Sequence, residues 1–140
     1  MLIPIAQDEK FDVLDKNGRY LISNYGRCYS IKTNRFMKPN INNNGYARVD
    51  IFDKFDNKAK TKVNRKQVFL HIAVVEHFGD CYGNTFDKME KYIDILNIDH
   101  RNRNKTDNRQ ANLQIVSAKV NQQRKYVPIE DIDKINDIFY

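Results

Sequence analysis

With 140 residues, a hydrophobic share of 41% and a charged share of 30%, the chain has enough apolar material for one modest core, which excludes a disordered tail. Its net charge of +6 is unevenly placed: residues 19–66 hold twelve Lys/Arg against three Asp, and residues 101–126 hold seven against one, while 1–18, 67–100 and 127–140 are each net acidic. Two concentrated basic segments in an otherwise acidic chain point to a polyanion-binding surface rather than to a generally basic protein. The opening Met1-Leu2-Ile3-Pro4-Ile5 is short, lacks a basic lead and gives way to Asp8-Glu9-Lys10. No secretory leader is therefore expected, and no later apolar run is long enough to span a membrane. The expectation is an intracellular protein whose cysteines, Cys28 and Cys81, stay reduced, since no C-x-x-C pair occurs with histidines at zinc spacing.

From Arg19 the chain reads as short strands separated by turn signals. Tyr20-Leu21-Ile22 leads into the turn Ser23-Asn24-Tyr25-Gly26, followed by strands at 27–31 and 35–38, the latter stopped by Pro39. Asn42-Asn43-Asn44-Gly45 is a strong hairpin signal. Residues 46–52 then alternate between polar and apolar positions, and another basic strand is expected to end near Val63. The pattern predicts an antiparallel meander with one apolar and one basic face. Val68 to Phe78 is apolar almost throughout, with Gly79 in a C-cap position, and predicts a buried helix. Residues 80–94 read as an acidic loop without further information. Residues 95–100 and 113–116 predict two antiparallel strands joined by a polar, basic loop over 101–111. Ser117 is a good N-cap for a helix reaching about Tyr126, and Ile129, Ile132, Ile135 and Phe139 suggest a last short helix.

The chemistry concentrates between Asp99 and Asn121. A strand ends in a carboxylate beside an imidazole, Asp99-His100, and a second strand returns the chain to a helix starting at Ser117. Asn121 then lies one turn inside that helix, where it can face the end of the first strand. Asp99 and Asn121 offer oxygen ligands suited to a hard ion such as Mg²⁺ or Mn²⁺. A neutral His100 is the natural base for an attacking water, and a helix N-terminus favours an anionic phosphate. His71, on an apolar helix, and His77, six residues on, read as structural histidines. The tyrosines at 20, 25, 29 and 46 read as sheet-packing residues rather than base-stacking ones.

The pattern Asp99-His100-x₁₁-Asn112-Leu113-x₇-Asn121 resembles the HNH, or ββα-metal, nucleases of phages and group I introns. Upstream, Tyr20-x-x-Ser23-Asn24-x-Gly26-Arg27-x-x-Ser30, Met37-Lys38-Pro39 and Gly45-Tyr46-x-x-Val49 are similar to the small DNA-binding module that often precedes such nucleases in homing endonucleases. Leu70-His71 to Phe78 resembles the family's helix with a histidine near its start. Together these stretches cover about residues 20–125. The resemblance implies that His100 is the general base, that Asp99 and Asn121 hold the metal, and that Asn112 is structural, its amide bonding loop backbone. Arg101-Asn102-Arg103 stands where the family usually has a glycine after the catalytic histidine, and Ile115 stands where an aromatic residue is expected. Both departures concern loop conformation rather than chemistry.

The resulting expectation is an α+β protein. Residues 1–66 form a basic antiparallel DNA-binding sheet module, 67–126 a buried helix and a ββα-metal nuclease module, and 127–140 a short helix or tail. The substrate would be double-stranded DNA, with phosphates met by Arg27, Lys38, Arg48, Arg101, Arg103, Lys105, Arg124 and Lys125. One site cuts one strand, so a double-strand break needs a homodimer or a second event. The location implied is the cytoplasm of a host carrying a phage or mobile element. Two alternatives stay open: a non-catalytic DNA-binding protein on the same scaffold, and a packaging or defence nuclease instead of a homing enzyme.

Overall fold

A computed structural model describes residues 2–56, 61–86 and 96–117. Among them, nine strands form three antiparallel sheets. The first sheet joins β1 (Phe11–Val13), β2 (Tyr20–Ser23), β3 (Cys28–Ser30) and β4 (Arg35–Phe36) in that order. The second joins β5 (Asn40–Ile41), β6 (Ala47–Asp56) and β7 (Thr61–Phe69), and the third pairs β8 (Leu96–His100) with β9 (Leu113–Ser117). The single α-helix described, α1 (Leu70–Phe78), follows β7 without a break. The expected α+β class holds.

The predicted single meander is two sheets. Its division falls at residues 37–39, where Pro39 cannot donate to a ladder. The helix also starts later than its apolar run implies. Val68 pairs with Val49 and Phe69 with Arg48, so both extend β7, and the helix begins only at Leu70. Apolar residues ending a buried strand and starting a buried helix have no distinguishing periodicity. The boundary expected at 66/67 accordingly falls inside β7. Strand β1 lies upstream of the first strand predicted; Asp12 in it meets His77 of α1 at 2.7 Å.

Alternation along β6 buries Ala47, Val49 and Ile51 while Arg48 and Asp50 stay half-exposed on the other face. These three pack in one cluster with Ile22 and Cys28 of the first sheet, Val68, Leu70, Ala73, Val74 and Val75 around the helix, and Leu113 and Ile115 of β9. A single core therefore spans both parts of the expected two-module division. Each Val, Leu or Ile in this core contributes roughly 1.5–3 kcal/mol on full burial. Gly79 ends α1 at φ 83° and donates its N–H to the carbonyl of Val75 at 2.9 Å.

Asp80, read from the sequence as part of an uninformative loop, is fully buried. Its Oδ1 accepts the N–H groups of Tyr82 and Asn84, and its Oδ2 accepts that of Ile115 in β9, each at 2.9 Å. This carboxylate fastens the end of the helix to the third sheet. The helix expected from Ser117, with Asn121, Arg124 and Lys125, and the one expected over 127–140 lie outside the described residues. Both cysteines are free thiols. Among the described residues, no helix is long and apolar enough to cross a membrane.

Candidate active site

Strands β8 and β9 pair Asp99 with Gln114 and His100 with Leu113. The alternation of β8 leaves Asp99 half-buried and turns His100 inward, where 5% of its surface stays exposed. The connecting loop is laced by its own amides. Asn112 closes it: its Oδ1 accepts the N–H of Asn102, and its Nδ2 donates to Asn102 Oδ1 and to the carbonyl of Asp107, at 2.8–2.9 Å. Asp107 accepts Nε and Nη2 from one edge of the Arg109 guanidinium, each at 2.8 Å, and the Asn102 amide at 2.8 Å. The Arg109 bonds hold its carboxyl below the usual carboxylate range.

Inside this loop Asn108, buried to 3% exposure, meets His100: Nε2 lies 2.7 Å from Asn108 Oδ1. A carboxamide oxygen only accepts, so Nε2 carries the proton and Nδ1 carries the lone pair. Burial lowers the His100 pKa, against the opposing pull of Asn108, Asp99 and Asp107, so the ring is neutral at pH 7. No sequence signal marked Asn108. It lies off the recognised spacing, and only closure of the loop brings it to His100.

Behind His100 the rings of Tyr46 and His71 stack at 4.9 Å and 27°, with His71 5.4 Å from His100 between centroids. Burial and the neighbouring His100 push the His71 pKa down to about 4, and its Nδ1 is buried with no hydrogen-bond partner among the described residues. Tyr46, just before β6, therefore packs as the sequence suggests, but against the site rather than on the sheet. Lys105 spans from the loop to the β5–β6 turn, donating Nζ to the carbonyl of Asn44 at 2.8 Å and lying 4.8 Å from the centre of the Tyr46 ring.

The basic residues divide by their partners. Lys38 and Arg103 are exposed and Arg48 is half-exposed with a long contact to Gln67, at 3.5 Å. Arg101 packs over the Tyr82 ring and toward Cys81. Arg27, expected as a phosphate contact, is engaged within the N-terminal part of the chain. Its Nε and Nη2 grip Glu9 at 2.8 and 2.5 Å, Nη2 also reaches the carbonyl of Ile3 at 2.8 Å, and its guanidinium lies 3.7 Å from the Phe36 ring centre. With its charge matched by a buried carboxylate and its plane covered by a ring, it braces the first sheet.

A family model for HNH endonucleases matches residues 68–123, and one for the NUMOD4 motif matches residues 5–52. The chain carries an HNH endonuclease domain behind a NUMOD4 motif. The HNH match contains the whole of β8, the laced loop and β9 as well as α1. The chain is similar to the DNA endonuclease I-HmuI of Bacillus phage SP01, at 34% identity over 110 residues, which is 79% of this chain and 53% of that protein. It thus spans about half the length of that relative. A solved structure of the HNH homing endonuclease I-HmuI, described with DNA binding and cleavage, aligns over 92% of this chain and 67% of its own. The TM-score is 0.61 and the identity 27%. Among the described residues no group of three or more His, Cys, Asp or Glu side chains is arranged to hold a metal. Asp99 precedes His100 in β8, and its charge, like that of Asp107, raises the imidazole's pKa. A carboxylate oxygen there could serve a hard ion that keeps most of its waters and takes phosphate oxygens.

Proposed function

We propose that this chain is a metal-dependent endonuclease acting on double-stranded DNA, with His100 as general base. The observation that carries the reading is the Nε2–H···Oδ1 bond from His100 to Asn108 inside the matched HNH domain. It fixes the neutral tautomer whose Nδ1 can take a proton from the attacking water. As that proton moves to Nδ1, the water oxygen forms a bond to phosphorus and the bond from phosphorus to the leaving sugar oxygen breaks, its electron pair going to that oxygen, which takes a proton from solvent water. Asn112 keeps the loop closed and so keeps Asn108 on the ring. The metal ion, Mg²⁺ or Mn²⁺, would be held by Asp99 and Asn121. When bound it supplies positive charge to the phosphate oxygens.

The DNA backbone would lie along Lys38 between the N-terminal sheets, Arg48 of β6 and Arg101, Arg103 and Lys105 of the loop, continuing to Arg124 and Lys125. Arg27 is left out of this set because its guanidinium is already paired with Glu9. A single site of this kind nicks one strand, and a double-strand break takes a homodimer or a second event. Both DNA binding and DNA cleavage are described for the similar homing endonuclease, which supports this substrate over other polyanions. The reading places the protein in the cytoplasm of a host bearing a phage or mobile element.

Supercoiled plasmid incubated with the chain tests the proposal. Relaxed product is expected with Mg²⁺ or Mn²⁺, none with EDTA, and none from Asp99→Ala even though that variant retains DNA binding. Full cleavage by Asp99→Ala would remove this residue as the ligand. Binding without cleavage in the wild type under any divalent ion would favour a non-catalytic DNA-binding protein.

A further inference from the structure

The β2–β3 turn and the loop that holds His100 are built against one another. Gly26 occupies that turn at φ 77°, and a Cβ placed on it would lie 2.6 Å from the backbone oxygen of Asn108 and 2.8 Å from its carbonyl carbon and its Cβ. Two residues earlier in the same turn, the carbonyl of Asn24 accepts the N–H of Gln110 at 2.7 Å. The segment is also held from the β5–β6 turn, through Lys105 and the carbonyl of Asn44. Thus residues 105–110 are positioned from outside the HNH match by two turns of the N-terminal sheets. In the middle of that segment stands Asn108, whose Oδ1 holds the imidazole of His100.

We infer that the β2–β3 turn is a positioning element of the nuclease site: Gly26, by having no side chain, lets Asn108 approach and seats its carboxamide on His100. The N-terminal segment then completes the catalytic apparatus in addition to holding DNA. Neither Gly26 nor Asn108 touches the reacting atoms; both act through His100. The inference rests on His100 being the general base. A methyl group at position 26 would force the Asn108 backbone oxygen to retreat by about 0.8 Å before contact becomes ordinary. Displacements near 1 Å cost on the order of 10²-fold in rate when they misplace a reacting group.

The experiment compares Gly26→Ala with Gly18→Ala in the full chain. Gly18 has a similar φ, 68°, but a Cβ there meets nothing within 4 Å, so it reports the cost of the left-handed backbone alone. Single-turnover nicking of plasmid DNA, with affinity measured separately, should show Gly26→Ala slowed by roughly 10–10²-fold at unchanged affinity, and Gly18→Ala slowed less than about 3-fold. Each substitution is then repeated on His100→Ala. If Gly26 acts through His100, it has no further effect there. Nitrogen NMR of the His100 ring should change from one Nε2–H tautomer in the wild type to a mixture in Gly26→Ala. Should Gly26→Ala fail to fold by circular dichroism, Asn108→Ala is measured in its place and is expected to give the same loss and the same tautomer mixture.

Wild-type rates in Gly26→Ala, equal losses at positions 18 and 26, or an undiminished loss on the His100→Ala background would each overturn the inference. So would wild-type turnover in Asn108→Ala. If His100→Ala itself cleaves normally, it is the general-base reading that fails, and the two failures are thereby distinguished.

Discussion

Replacing Asp80 by alanine removes the acceptor for three backbone N–H groups at once. The one on Ile115 lies in the buried ladder of β9, while those on Tyr82 and Asn84 are only partly buried. Leaving a buried donor unsatisfied costs about 1–3 kcal/mol, and a lost bond that water can replace costs about 0.5–1.5 kcal/mol. Relief of the buried carboxylate's desolvation offsets part of that, so a net loss of about 3 kcal/mol is expected. For a chain of this length such a loss lowers Tm by about 10 °C. Urea unfolding followed by circular dichroism measures it, read from the midpoint at constant m-value. Asp80→Asn sharpens the test. It keeps the size of the side chain but turns an NH₂ toward one of the three donors, so it should be destabilised nearly as much as Asp80→Ala. Near-wild-type stability in Asp80→Asn, or a loss under about 1 kcal/mol in Asp80→Ala, would refute the hydrogen-bond reasoning.

Two further outcomes follow from the same geometry. His71 protonates near 6.5 in the unfolded chain but only near about 4 when buried beside His100. Its contribution to stability is therefore complete above pH 6.5 and is lost as pH falls from there toward 4. The shift corresponds to about 3 kcal/mol. His71→Phe should flatten most of that decline in pH-dependent urea unfolding, leaving the share due to His100, and an unchanged slope would count against the neutral buried ring. For DNA binding, Arg48→Ala and Arg103→Ala should each reduce the salt slope of affinity by about one. Arg27→Ala should lower stability with the slope unchanged, and a reduced slope there would return Arg27 to the phosphate contacts.

The strand–loop–strand of the site was legible because its signals are local. Asp99-His100 ends an apolar run and Asn112-Leu113 begins the next; their register, with His100 opposite Leu113, is seen only in the structure. The α+β class was legible from the same alternation of turns and apolar runs. What escaped the sequence depends on pairs distant along the chain. Glu9 claims Arg27 from 18 residues away, and Asp80 reaches Ile115 over 35. Asn108 reaches His100 over only eight residues, but through a loop whose closure depends on Asn112 and on Gly26 of another sheet. Charge patterning counted Arg27 as one more surface cation because a single acidic residue in a net-acidic leader carries no mark of its partner. The start of α1 was misplaced by two residues because Val68 and Phe69 suit a strand and a helix equally.

The rate at which His100→Ala nicks supercoiled DNA, under single-turnover conditions at neutral pH with saturating Mg²⁺, bears most directly on the proposed chemistry. A general base held by Asn108 predicts a loss on the order of 10²–10⁴-fold with DNA affinity little changed. A His100→Ala protein cleaving within a factor of about three of wild type, far short of that range, would contradict it.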